Sequence, residues 1–339
     1  KNLFIPAFSG NFYLYIKISN QMKTQQLVEQ IKAKKSFLCI GLDVDLNKIP
    51  KHLLNEVDPI FEFNKLLIDS LNNLIVAVKI NTAFYESEGS KGWKTLEKTI
   101  AYINSNYPKL FTIADAKRGD IGNTSDRYAQ AFFKHMEFDS ITVSPYMGSD
   151  SVEPFLQYEN KNTIILGLTS NKGATDFQID NDGSFDLFKK VLLKSKDWKN
   201  SNNLMYVIGA TKSSFLKDVR KIVPDNFLLI PGVGAQGGDL EETFKNGVNK
   251  NIGILVNSSR SIIYAGNDKD FLKKVKSTHP SLTNNDLRLC AYLRLNLSSK
   301  DIAPLLNISL SSVEIKRYRL RKKMQLTHNE GLTDHLLSL

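Results

Sequence analysis

The chain has 339 residues, with 45 Lys and Arg against 35 Asp and Glu, a formal net charge of +10 that favours anionic partners. This length exceeds one ordinary compact domain but suits a single α/β barrel of about 250 residues with a small appendage. No stretch is long and apolar enough to span a bilayer, and the two cysteines and five histidines, none at metal-ligand or redox spacing, exclude a disulfide framework and suit a reducing cytoplasm with no metal site.

Residues 1–21 are rich in Phe, Tyr and Ile but lack the cleavage site and unbroken apolar core of a secretory signal. Met22 followed by the amphipathic run 23–31 reads as a natural start, so the leader is expected to be a non-functional extension. From Ser36 onward, short apolar or β-branched runs alternate with helix-length amphipathic segments: 37–42, 74–80, 110–114, 140–143, 163–168, 204–208, 227–230 and 252–256. Eight such strands separated by helices predict an α/β fold with a parallel repeat, whose natural closure is a (β/α)8 TIM barrel. Several runs are continuously apolar, as expected of strands covered by helices outside and filled with side chains inside. The polar stretch 169–182 is long for a connection and is expected to lie as a loop over the mouth. Beyond Lys276 the composition shifts. Residues 277–281 read as a linker, and 283–295, 298–306 and 311–323 as short helices of a small all-α appendage. The division is therefore 1–21, a barrel over 22–276, the linker 277–281, a helical unit over 282–327 and a tail over 328–339.

Charged residues gather where these strands end. Asp115, Lys117 and Asp120 follow the third run directly, and Lys79 ends the second. Strand alternation turns Asp115 and Lys117 to one face and Ala116 and Arg118 to the other. Gly119 lets the chain turn, and Asp120 opens the next loop, from which it can swing back toward Lys117 or reach a neighbouring subunit. Charges at the C-terminal ends of successive parallel strands converge on one mouth, where such barrels keep their chemistry. After the seventh strand, a glycine-rich segment including Gly234 opens a helix and can bring backbone N–H groups to an anion. After the eighth, Ser258 and Ser259 precede Arg260, a residue suited to bidentate phosphate contact.

Segment 22–276 resembles the orotidine 5′-monophosphate decarboxylases, in particular their long-chain branch. The resemblance implies that Lys79, Asp115, Lys117 and Asp120 form the alternating catalytic network and that Asp43, at the end of the first strand, contacts the ribose. It implies that Thr124 reaches, with Asp120, into the partner's site of a homodimer. It also implies that Ser144 and Pro145 belong to the segment reading the pyrimidine edge, and that Gln236 and Arg260 hold the phosphate with Gly234 and Ser259 as backbone donors. The implied reaction is loss of CO2 from C6 of orotidine monophosphate to give UMP, with no cofactor. A metal-dependent sugar-phosphate decarboxylase of the same superfamily is an alternative, but its further carboxylate near the second strand is replaced here by Lys79.

The segments around Thr283, Ser298 and Ser309 resemble a LuxR-type helix-turn-helix, which makes Lys316, Arg317, Arg319 and Arg321 of its last helix candidates for DNA contact. A nucleotide-sensing DNA-binding regulator is thus the alternative from outside enzymology. The intact network of four charges argues against it, since sensing alone does not require that network.

Overall fold

In a computed structural model of the chain, eight strands close in sequence order into one parallel barrel. They are β1 (Leu38–Gly41), β2 (Ala77–Asn81), β3 (Phe111–Arg118), β4 (Ser140–Val143), β5 (Asn162–Leu168), β6 (Leu204–Ile208), β7 (Leu228–Pro231) and β8 (Ile254–Ser258). The structure describes residues 24–180, 185–233, 238–264, 281–294, 297–306, 308–327 and 330–338. The leader 1–21, Gly234, Gln236 and the linker apart from Ser281 lie outside these residues. Closure follows from β1 pairing both with β2, at Cys39↔Ala77, and with β8, at Leu38↔Val256.

The covering helices are built from ordinary local signals. Helix α1 (Thr24–Lys34) buries Leu27 and Ile31, one turn apart on a single face. Helix α2 (Pro59–Leu71) starts with Pro at its first position, and the Asp58 carboxylate accepts the Phe61 N–H at 3.2 Å. Helices α3 (Gly89–Asn106), α4 (Gly122–Ala129), α5 (Ser149–Leu156), α6 (Leu187–Ser195), α7 (Leu216–Ile222) and α8 (Leu240–Gly247) continue the alternation. Asp239 caps α8 by accepting from Glu242 N–H at 2.9 Å. Side chains such as Ile40, Val78, Ile113, Ile141, Ile164 and Ile254 are fully buried, each contributing about 1.5–3 kcal/mol by leaving water. At the end of the barrel opposite the mouth, the Arg220 guanidinium donates to the carbonyls of Gly247, Val223, Asn226 and Gly253 at 2.6–3.1 Å, tying the α7–β7 and α8–β8 connections together.

Beyond the barrel lie α9 (Asn284–Arg294), α10 (Ser299–Leu306), α11 (Leu310–Lys323) and α12 (Leu332–Ser338). Two are entered through reciprocal caps. Thr283 and Asp286 exchange hydrogen bonds at the start of α9, and Ser298 and Asp301 do so at the start of α10. Leu289, Leu293, Ile302, Val313, Leu320 and Leu336 form the buried interior of the unit. Pro304 falls in the last turn of α10, so its missing N–H removes a single helical hydrogen bond. The fourth helix was not expected. The sequence reading takes residues 328–339 as a tail, whereas α12 packs on α9 and buries Leu332 and Leu336. Among the described residues no helix is long and apolar enough to cross a membrane.

Candidate active site

Strand β3 runs on to Arg118, four residues past its apolar core, and brings its polar end into the mouth. The Asp115 carboxylate lies there between two ammonium groups: Oδ2 accepts from Lys79 Nζ at 2.8 Å and Oδ1 from Lys117 Nζ at 2.6 Å. Lys79 also reaches Asp43 Oδ1 at 3.3 Å. Four charges of alternating sign, Asp43, Lys79, Asp115 and Lys117, thus form one chain across the ends of β1, β2 and β3.

The ends of that chain sit in different surroundings. The side chains of Lys79 and Asp115 are 6% and 11% exposed, whereas Lys117 is 49% exposed. Burial alone would lower the pKa of the Lys79 ammonium, but the Asp115 and Asp43 carboxylates outweigh burial and hold it above the ordinary lysine range. Burial likewise pushes the Asp115 carboxyl up, and Lys79 and Lys117 override it, leaving the carboxyl well below the usual range. Both groups are ionised throughout the physiological range. The backbone carrying Asp43 is suspended from two phenols: Tyr85 Oη donates to Leu42 O and Tyr264 Oη to Asp43 O, each at 3.2 Å.

Across β3 the alternation expected from the sequence is interrupted by a bulge. The β3–β4 ladder passes from Ala114↔Ile141 to Arg118↔Val143, so Asp115, Ala116 and Lys117 stand opposite Thr142 alone. Lys117 takes the left-handed backbone conformation, φ +47°, uncommon for a side chain of this kind. Arg118 anchors the far side of the bulge, pairing with Glu86 and lying over the rings of Tyr128 and Phe132. Gly119 is required for close approach: a Cβ there would meet the Ser144 carbonyl oxygen at 2.7 Å.

A cavity of about 510 Å³ opens above these charges. Of the residues expected from the sequence, Asp43, Lys79, Asp115, Lys117, Ser259 and Arg260 line it. Gly41 lets β8's loop close over β1, since a Cβ at that position would fall 1.8 Å from Ser259 Oγ. Ser144 and Pro145, expected at the pyrimidine edge, do not line this cavity. The Ser144 N–H is used on Arg118 O at 2.7 Å, and that bond continues the β4 edge past the bulge rather than toward the cavity. Polar groups after β5 line the wall instead: Thr169, Ser170, Asn171 and Gln178, with Asn81 and Asn257. Gln178 closes this loop at its base, accepting from Thr169 N–H at 2.8 Å and donating to Thr169 Oγ1 at 2.9 Å. The signal for them was the one that found Lys79, polar residues immediately after a strand.

Asp120 does not meet Lys117 within the chain. Its Oδ1 accepts the Ile121 N–H at 2.7 Å, and its backbone is fixed by the Ser125 hydroxyl. Thr124, in the first turn of α4, is also off the wall. A larger cleft of about 620 Å³ between α8 and the C-terminal helices contains none of the strand-end charges. In α11, Arg317 donates to Ser299 Oγ at 3.0 Å, and Arg321 to the carbonyls of Glu330 and Thr327 at 2.6 and 2.5 Å. Lys316 is half-buried and Arg319 exposed.

Residues 36–275 match the family described as Orotidine 5′-phosphate decarboxylase / HUMPS. The chain belongs to this family. The orotidine 5′-phosphate decarboxylase of Flavobacterium johnsoniae is 64% identical over 255 residues, 75% of this chain and 93% of that protein. Its counterpart in Christiangramia forsetii is 62% identical over 250 residues, 74% and 92% of the two chains. Among solved structures, the OMP decarboxylase of Leishmania donovani aligns with a TM-score of 0.64 at 34% identity, covering 75% of this chain and 96% of that one. The chain is thus an enzyme of the decarboxylase family, and the family match ends before α9.

Proposed function

We propose that this chain converts orotidine 5′-monophosphate to UMP and CO2 without a cofactor. The observation carrying this reading is the Lys117 ammonium, fixed at 2.6 Å by a carboxylate that a second, buried lysine keeps ionised, yet open to a cavity of about 510 Å³. The C6–carboxylate bond breaks with its electron pair left on C6. The Lys117 ammonium stabilises that charge and then gives C6 its proton, and the resulting amine is reprotonated from water. Fixed ionic groups in a site shielded from water are the strongest available means of stabilising such a charge. Arg260 and Ser259, with Gly234 and Gln236, take the phosphate; Asp43 and Lys79 take the ribose hydroxyls. Binding energy from these remote groups orders the reacting end of the substrate.

The same reading makes the active unit a cytoplasmic homodimer in which Asp120 and Thr124 serve the partner's cavity. Two observations support it. The Asp120 carboxylate accepts the Ile121 N–H and forms no ion pair with its own Lys117, and beside it Ile121, Tyr146 and Met147 are 59%, 84% and 50% exposed, an apolar surface of the kind a second copy covers. A metal-dependent sugar-phosphate reaction is disfavoured by the Lys79 ammonium, which stands between the two carboxylates a cation would need. The barrel spans 22–276, and the C-terminal unit is a helix-turn-helix whose DNA contacts run through Lys316 and Arg319, since Arg317 and Arg321 hold the unit together.

The test is turnover of orotidine monophosphate in EDTA, followed by loss of ultraviolet absorbance. Turnover abolished by Lys117→Ala is expected; none in the unaltered chain would refute the reading. For the helical unit, the Lys316→Ala, Arg319→Ala double variant is expected to bind duplex DNA more weakly, with a salt slope lower by about 2.

A further inference from the structure

We infer that Thr142 is the positioning residue that sets the reactive lysine, by tying the backbone of Lys117 to the carboxylate that holds its ammonium. This rests on the decarboxylase reading of the site. Thr142 is the third of the four residues of β4 and is fully buried, outside the cavity lining. Its hydroxyl accepts the Lys117 N–H at 2.9 Å and donates to Asp115 Oδ1 at 3.1 Å. The same Oδ1 accepts from Lys117 Nζ at 2.6 Å. One hydroxyl proton and one lone pair thus close a loop from the main chain of Lys117, through Thr142 and Asp115, to the tip of the Lys117 side chain.

The bulge is the reason a hydroxyl is needed. Three residues of β3 stand opposite Thr142, so no β4 carbonyl is in register to receive the Lys117 N–H. An N–H buried without a partner is costly, and Lys117 also carries the strain of a left-handed backbone at φ +47°. The Thr142 hydroxyl replaces the missing ladder bond and holds that conformation. Without it, Lys117 relaxes toward the extended backbone of its neighbours, which turns its ammonium out of line with C6, and Asp115 loses one of the three donors that orient it. An aliphatic side chain of equal shape fills the same space but supplies neither bond.

The experiment compares Thr142→Val and Thr142→Ser with the unaltered enzyme, measuring kcat and KM for orotidine monophosphate, the dissociation constant of UMP and the melting temperature. Thr142→Val is expected to lower kcat by roughly 100-fold, the loss a displacement of about 1 Å produces at a reacting group, with KM and UMP affinity within about threefold because the phosphate contacts are distant. Thr142→Ser keeps the hydroxyl and is expected to restore kcat to within about fivefold of the unaltered enzyme. The inference is overturned if Thr142→Val retains kcat, if Thr142→Ser is as slow as Thr142→Val, or if UMP affinity falls in parallel with kcat. Absence of turnover in the unaltered enzyme would refute the decarboxylase reading, whereas turnover unaffected by Thr142→Val would refute this inference alone.

Discussion

Replacing Lys79 by Met removes the charge at the centre of the network while keeping much of the side chain's length. The ammonium it deletes is buried, at 2.8 Å from one carboxylate and 3.3 Å from another. Removing one partner of a buried pair costs about 3–5 kcal/mol, because the remaining charge is left desolvated and uncompensated. Here two carboxylates are left, and only the half-exposed Lys117 remains beside one of them. At about 2–4 °C per kcal/mol for a domain of this size, the melting temperature should fall by about 6–20 °C at pH 7. The sign of the pH dependence is also fixed. Asp115 ionises well below the usual carboxylate range in the folded chain, so it contributes stability above its unfolded value of about 3.9 and loses it as pH falls further. The Lys79 ammonium, held above the lysine range, contributes fully below about 10.4 and loses its contribution only as pH rises past that value. In the variant, Asp115 loses the Lys79 charge that holds its carboxyl low, so it takes up a proton in the folded state at higher pH. The gap in melting temperature between the two proteins, followed by calorimetry, should therefore be widest near neutrality and narrow as pH drops toward 4. A Lys79→Met protein melting within about 2 °C of the parent at pH 7 would refute the claim that this lysine compensates buried negative charge.

Arg260→Ala should raise KM for orotidine monophosphate by roughly 100-fold, since a charge-assisted contact to phosphate is lost; steady-state kinetics with an unchanged KM would remove Arg260 from the phosphate site. Arg220→Met should leave kcat unchanged while lowering stability by about 2–4 kcal/mol, because four carbonyl acceptors lose their donor at the end of the barrel remote from the chemistry. Urea denaturation checks this, and equal midpoints would contradict it.

The eight strands were legible because a covered parallel sheet must be apolar on both faces, and segments such as 140–143 and 204–208 coincide with β4 and β6 in the structure. Their C-terminal ends were less legible for the same reason. Chemistry makes those residues polar, so the apolar run in β3 stops at Ala114 while the strand continues to Arg118. Alternation correctly joined Asp115 to Lys117, but nothing in a lysine foretells φ +47°, and the bulge that produces it depends on β4. Thr142 was hidden inside an apolar strand, where its hydroxyl reads as a β-branched core position. Polar residues follow both β4 and β5, and composition alone did not distinguish Ser144, outside the cavity, from Ser170, which lines it. The short helices α9 and α10 were legible from the composition shift after Lys276, whereas α12 needed the surface of α9 to reveal it.

The claim that a charge network shared between two copies of the chain performs the decarboxylation is tested most directly by mixing two inactive variants. Lys117→Ala lacks the proton donor and Asp120→Asn lacks the residue proposed to serve the partner's cavity. Unfolded together and refolded, they should regain about one quarter of the parent's activity, since half of the random dimers pair unlike chains and each of those has one intact site. A mixture as inactive as either variant alone would contradict the shared site.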